Sequence, residues 1–131
     1  MLSEYTYDTG NRLTGARTGA GPWTTFGYAD ANAEHANTIT GPDALVTTVY
    51  YDTDGLISKV THPSVDADGT RWAYDGNGVV TAVTDPLDNV TAYEYDTVGN
   101  LTSVTDPNLN ETIFTYDDLG NVTSVTDPRG A

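Results

Sequence analysis

The chain has no cysteine, two histidines and only five Lys or Arg in 131 residues. Without cysteine there is neither a disulfide framework nor a thiolate site, and the compartment stays open on that count. Five cations stand against 19 carboxylates, for a net charge of −14. No basic patch exists to displace counterions from phosphate, which argues against nucleic acid and anionic lipid as partners. No stretch approaches the ~20 apolar residues of a membrane span, so membrane insertion is not expected. The opening "MLSEYTYDTG" lacks the basic segment and apolar run of a signal peptide, so the export signal of any exported parent lies outside this chain. Helical periodicity is absent too, and helices are not expected to cover anything. The length suits one domain, and a compact fold of this size would bury roughly two thirds of its unfolded surface, enough for a core.

What the chain does contain is Thr, Asp, Gly and Asn, the chemistry of strands and turns. It also repeats. Tyr7, Tyr28, Tyr51, Tyr74, Tyr95 and Tyr116 follow one another at steps of 21, 23, 23, 21 and 21 residues. In most units the Tyr is followed by an acid: Asp8, Asp52, Asp75, Asp96 and Asp117, with Ala29 as the exception. A Gly comes four residues after the Tyr at Gly55, Gly78, Gly99 and Gly120, and one residue earlier in the first unit, at Gly10. A Pro comes twelve after the Tyr at Pro63, Pro86, Pro107 and Pro128. Gly19 replaces it in the first unit, and the second unit is stretched by two residues, so its Pro is Pro42. Extra residues in "ANAEHA" and "PSVDADGTRWAY" are expected in turns, which tolerate insertion.

Each unit reads as two short strands joined by turns. "LTSVT" at Leu101–Thr105 is β-branched and bounded by Gly-Asn and Asp-Pro, both turn signals. The second strand ends on the next Tyr and alternates with a period of two: Ser3-Tyr5-Tyr7, Thr24-Phe26-Tyr28, Thr47-Val49-Tyr51, Thr70-Trp72-Tyr74, Thr91-Tyr93-Tyr95 and Thr112-Phe114-Tyr116. Large rings on one parity make one aromatic face, while Thr25, Gly27, Arg71, Ala73, Glu94 and Thr115 on the other parity face water or a lumen. The expected fold is all-β: tandem antiparallel β-hairpins, six units of 21–23 residues, forming one continuous curled or spiral sheet, a β-solenoid. About twelve strands at ~4.8 Å each span on the order of 55 Å, and a sheet that wide must curl or find a partner to cover its rings. The chain is read as a single array over 1–131, with a half unit at 2–6, units starting at 7, 28, 51, 74 and 95, and a half unit at 116–131.

Tyr-Asp, then Gly, then an Asp-Pro turn on a 21-residue step resembles the YD repeats of RHS proteins, also found in the shells of insecticidal toxin complexes and in teneurins. The resemblance runs through six units and covers the whole chain. It implies a structural role: a long β-strip spiralling into a hollow shell, which in bacterial members encloses a C-terminal toxin polypeptide and in others supports surface contact. Activities of the family lie mostly outside the repeats, in variable C-terminal domains and a self-cleaving acidic segment. This sequence shows neither, and no toxin activity is carried over to it.

The remaining chemistry is thin. The recurrent aspartates are expected to be turn residues that bind nearby amides, because acid catalysis needs an environment that shifts the pKa. Asp52-Thr53-Asp54-Gly55, Asp66-Ala67-Asp68-Gly69 and Asp30-Ala31-Asn32-Ala33-Glu34 each offer part of a calcium loop. None supplies the distal bidentate Glu, so solvated turns are the expected reading, with stabilising Ca²⁺ as the weaker one. His35 and His62 lie in turns of different units with no ligand spacing. Gly76-Asn77-Gly78 is a turn and not a phosphate loop. Trp23 and Trp72 could stack on sugars, although Trp72 shares the aromatic parity and is expected to pack in the core. Catalytic, cofactor and metal residues are expected to be none.

The two half units are complementary. Leu2 to Ala131 spans 130 residues, six whole steps, so Leu2 placed after Ala131 restores the 21-residue spacing. Two explanations fit: a longer array trimmed in phase, or a protomer whose edge strands pair head to tail with other copies. The leading expectation is a non-enzymatic structural segment of a large exported RHS protein, extracellular or on the cell surface, building a shell or fibre. It joins further repeats of the same parent or other copies through its edge strands, and an enclosed polypeptide is a further partner. The alternatives are a self-assembling filament protomer and, behind it, a glycan- or calcium-binding module.

Overall fold

Twelve strands follow one another along the chain in the computed structural model, which describes residues 2–28, 35–62 and 66–128. They are β1 (Ser3–Tyr7), β2 (Leu13–Thr18), β3 (Thr24–Tyr28), β4 (His35–Thr40), β5 (Val46–Tyr51), β6 (Ile57–His62), β7 (Asp66–Tyr74), β8 (Val80–Thr84), β9 (Val90–Tyr95), β10 (Leu101–Thr105), β11 (Glu111–Tyr116) and β12 (Val122–Thr126). Their order in the sheet is their order in the chain, an antiparallel meander, and no helix occurs among the described residues. The expected all-β array of tandem hairpins is the observed one. Two compact units make it up, Met1–Thr70 and Arg71–Ala131, and β7 begins in the first and ends in the second.

In the units that begin at Tyr74 and Tyr95 both halves are closed by the same kind of turn. In the Tyr-Asp turns the amide of Asp96 donates to the carbonyl of Asn100, and the amide of Gly99 donates back to the carbonyl of Asp96. The Asp-Pro turns do the same: Asp106 donates to Asn110 and Leu109 donates to Asp106. This is a three-residue hairpin loop whose last residue must take the left-handed conformation. Gly55, Gly78, Gly99 and Gly120 hold that position in the Tyr-Asp turns, with φ between 81° and 96°. In the first unit it is Asn11, with φ 63°, so Gly10 is not a displaced equivalent of the other glycines. Asn tolerates the left-handed region through local hydrogen bonding and takes over the role. In the second kind of turn the position falls to Ala44, Asp88 and Leu109.

Next to the Tyr-Asp turn the ladder slips. Tyr95 pairs with Leu101 but Glu94 pairs with Ser103, which leaves Thr102 as an unopposed bulge residue. The same slip leaves Thr14, Ser58, Thr81 and Thr123 unopposed in the matching hairpins. Each bulge residue carries a hydroxyl, and that of Thr123 reaches Thr115 Oγ1 across the pair at 2.8 Å. A bulge sharpens the local twist of a strand pair, so the array repeats a twist as well as a sequence. Among the described pairs of β3 and β4 there is no slip.

The length allows a core, yet none of the described hydrophobic residues is buried. Phe26, Trp72, Tyr93 and Phe114 are half-buried by their neighbours within the sheet, and Trp72 is not the core residue expected of it. Ser103, at 4% exposure, is the buried polar residue. Within each unit the described strands touch only their neighbours in the sheet, and no second layer covers them. Asp66-Ala67-Asp68-Gly69 corrects another expectation: it belongs to strand β7 and not to a turn, and Gly69 (φ 64°) lies against the Val60 backbone. A residue with a side chain there would collide with Val60 O, so the glycine lets the two backbones approach closely.

The turn geometry sets opposite expectations for two substitutions. Gly99→Ala meets no neighbour within 4 Å, so its cost is the backbone strain alone, about 1–2 kcal/mol. Leu109→Gly relieves strain at a side chain that is 84% exposed and should stabilise the chain by up to about 1 kcal/mol once the entropy of glycine is deducted. Urea unfolding followed by circular dichroism checks both signs.

Candidate functional site

The element that recurs is one aspartate with the turn it locks, tied at two places by a tyrosine from the next unit. In the Tyr-Asp turns Asp96 Oδ1 accepts the amides of Val98 and Asn100 at 3.0 and 2.8 Å. Asp8, Asp52, Asp75 and Asp117 do the same two and four residues ahead. Asp85 and Asp106 repeat it in the Asp-Pro turns, where Pro86 and Pro107 follow and pre-set the first turn angle. Pro128 follows Asp127 in the corresponding place. In the Gly41-Pro42 turn, which has no Asp at its head, Asp43 Oδ1 accepts the amide of Leu45. Pro63 and the segment 30–34 lie outside the described residues, as does the side chain of His35.

A second residue completes the lock. Asn89, Asn100, Asn110 and Asn121 donate through Nδ2 to the other oxygen of Asp85, Asp96, Asp106 and Asp117, at 2.8–3.0 Å. These asparagines were not singled out from the sequence, although the Asp-x-x-x-Asn spacing is legible there. Side-chain and backbone donation from Asn holds the carboxyls of Asp85, Asp96, Asp106 and Asp117 below the ordinary carboxylate range. The backbone amides of Arg12 and Val79 contribute most at Asp8 and Asp75, whose carboxyls are lowered as well. A general acid needs the opposite shift. These carboxylates are ionised and occupied by N–H donors.

The tyrosine ties one unit to the next. Tyr116 Oη donates to the carbonyl of Leu101 at 2.7 Å, and Tyr28 Oη to that of Leu13 at 2.8 Å, each reaching back 15 residues. Leu101 and Leu13 immediately precede the bulge residues Thr102 and Thr14. The Tyr of one unit thereby pins the irregular rung of the unit before it. Arg12 stacks over the Tyr28 ring at 4.9 Å while its Nε binds Asp8 at 2.7 Å, which joins both parts of the joint.

The other candidates are dispersed. Arg17 lies over Trp23 at 4.7 Å and binds Glu4, so that ring is covered on one side by a cation. Trp72 faces Val83 across the β7–β8 pair. His62 Nδ1 meets Thr47 Oγ1 at 3.0 Å, a strand contact. Asp52 spends its Oδ1 on the turn that includes Asp54. Among the described residues no three His, Asp or Glu side chains gather closely enough to hold a metal ion. A shallow groove of about 640 Å³ lies between two successive Tyr-Asp turns, lined by Asp96, Asn100, Phe114, Tyr116, Asp117 and Gly120. Its Asp96 and Asp117 are the locked ones.

Comparison with known families gives matches to the model described as RHS Repeat over residues 74–111 and 95–131. Both fall on units built of the joints just described. No curated protein matches the chain.

The locks have a definite pH dependence. Their carboxyls titrate lower folded than unfolded, so as pH falls below about 4–5 the unfolded chain takes up protons first and stability drops until the folded carboxyls are protonated too. Asp106→Asn should therefore lower the melting temperature more at pH 7 than at pH 3, because the lock weakens as protons bind the carboxyl. An equal loss at both pH values contradicts the charge-assisted lock. Tyr116→Phe, which strands the Leu101 carbonyl, should cost about 1 kcal/mol in denaturant unfolding, independent of pH between 5 and 8.

Proposed function

We propose that this chain, whose residues 74–131 match the RHS repeat, serves as a non-enzymatic structural stretch of wall in a larger exported protein, outside the cell or on its surface. One observation carries this reading: a twelve-stranded sheet in which no described hydrophobic residue is buried, although one parity of its strands is lined with rings. A sheet of this kind is half of a structure. Its aromatic face is completed by something else, further turns of the same array or a polypeptide enclosed by it.

Its surface suits a role outside a crowded site of chemistry. The recurrent carboxylates are spent on turns, and three of the five cations lie over aromatic rings. Leu87, Val98, Leu109 and Leu119 stand at the tips of successive turns, each more than 80% exposed. Apolar turn tips along the strand ends give neighbouring layers of a wall something to pack against. Calcium is not needed by this reading, because the turns close through their own aspartates.

Hydroxyl-radical footprinting of the parent protein, compared with the isolated chain, tests the reading. Trp72, Tyr93 and Phe114 should be oxidised several-fold more slowly in the parent, and the parent should be found in the medium or surface fraction of the producing cell. Equal oxidation in both samples, or confinement of the parent to the cytosol, contradicts it.

A further inference from the structure

The second compact unit is short of cations. Among its described residues Arg71 is the one Lys or Arg, and it binds Asp88. In the first unit the rings recruit cations: Arg12 lies over Tyr28, Arg17 over Trp23 and Lys59 over Tyr50, at 4.9, 4.7 and 5.6 Å from the ring centres. Arg12 shows what such a cation does at a Tyr-Asp turn. It stands four residues after Asp8 and binds that carboxylate through Nε at 2.7 Å, while its guanidinium covers the tyrosine of the following repeat. Asn100 holds the same place after Asp96, and Tyr116 holds the place of Tyr28, with the same bond back to the preceding unit. Asn100 reaches Asp96 Oδ2 at 2.9 Å, but its short neutral amide supplies no cation. The groove of about 640 Å³ lies at this position, lined by Asp96, Asn100 and Tyr116 and, from the next turn, by Asp117 and Asp118. Asp118 is exposed, and no described residue binds its carboxylate.

We propose that this groove seats an arginine side chain of a partner polypeptide, its guanidinium over Tyr116 and facing Asp96 and Asp118, as Arg12 lies over Tyr28 and faces Asp8. A guanidinium suits the place because it is planar and weakly hydrated, and stacks on a ring while its N–H groups donate to carboxylates. The ammonium of lysine is a more strongly hydrated point charge and fits less well. The partner differs in composition from the repeats, since five Lys or Arg across six units leave few cations to offer a neighbouring layer. The inference rests on the reading of the chain as wall and gives the chemistry of the polypeptide that completes it. A charge of −14 draws a basic partner towards the chain, and salt screens that attraction over a Debye length of about 10 Å at 0.1 M.

Titration of the isotope-labelled full chain with the blocked tripeptide Gly-Arg-Gly, followed by amide NMR, tests the seat. Because footprinting is done on the parent and this titration on the chain alone, the wall reading and the seat fail separately. Saturable shifts should centre on Asn100, Tyr116 and Asp117–Gly120 and should weaken with added salt. The tripeptide with citrulline, the neutral counterpart of arginine, should bind at least several-fold more weakly. Asp118→Asn changes none of the turn locks, so it should keep the fold and weaken binding several-fold. Asn100→Arg supplies the cation from within the chain, as Arg12 does, and should abolish the response in a protein whose spectrum remains dispersed. Equal binding of the two tripeptides, shifts spread evenly over all the Asp turns, or an unaltered response in Asp118→Asn overturns the seat. In the parent, a photoreactive side chain introduced at Leu119 should cross-link to an arginine-bearing segment outside the repeats. A cross-link to the repeats alone contradicts the assignment of the partner.

Discussion

Everything in this chain hangs on an aspartate carboxylate folded back onto its own turn. One oxygen accepts two backbone amides, two and four residues ahead, and the other takes an Asn side chain where one is present. That arrangement closes a three-residue loop, which sets strand register with no help from a core. The same joint closes the Tyr-Asp turns and the Asp85 and Asp106 turns, so from Asp75 to Asn121 the described hairpins are all closed in one way. Asp is suited to it because a short carboxylate has two acceptors and reaches its own backbone without straining the chain.

The missing core explains why so much of the stabilisation is local. A single layer cannot exclude water from both faces, and its rings are only half-covered. Ladder hydrogen bonds, cross-strand pairs such as Trp72 with Val83 and the turn locks must carry what a core carries elsewhere. The tyrosine adds the link between units, bonding 15 residues back to the carbonyl beside the bulge. Repeat proteins are held by nearest-neighbour terms of this sort. An array of this kind can be lengthened by such units without redesign.

Much of this was readable from residues alone. The alternation in "TAYEY" and "TIFTY" marked strands ending on a tyrosine, and the turn signals around "LTSVT" bounded β10 at Leu101–Thr105. Other features were misread or missed for physical reasons. Gly10 looked like the displaced glycine of its unit, but a left-handed residue is defined by its place in the hydrogen-bonded loop, and Asn11 holds that place. "DADG" looked like a loop because Asp and Gly favour turns, yet β7 runs through it along the Val60 backbone. The bulges escaped notice because a Thr at an unopposed rung and a Thr in a regular rung are the same letter. The asparagine partners were visible as Asp-x-x-x-Asn, but a spacing shows no bond until the turn brings the side chains to 2.8–3.0 Å.

The sequence by itself determined the repeat, the strand parity and the chemistry of the turns, since all three depend on residues within about five positions of one another. Tertiary structure decided what depends on distant pairing: the slipped rungs at Thr14, Ser58, Thr81, Thr102 and Thr123, and the tyrosine bonds that pin them at Leu13 and Leu101. It also decided that a chain long enough for a core buries none of its described hydrophobic residues. Burial is a property of what lies across a face. Local sequence can say that a face is aromatic, and only the assembled sheet shows that nothing in the described chain covers it.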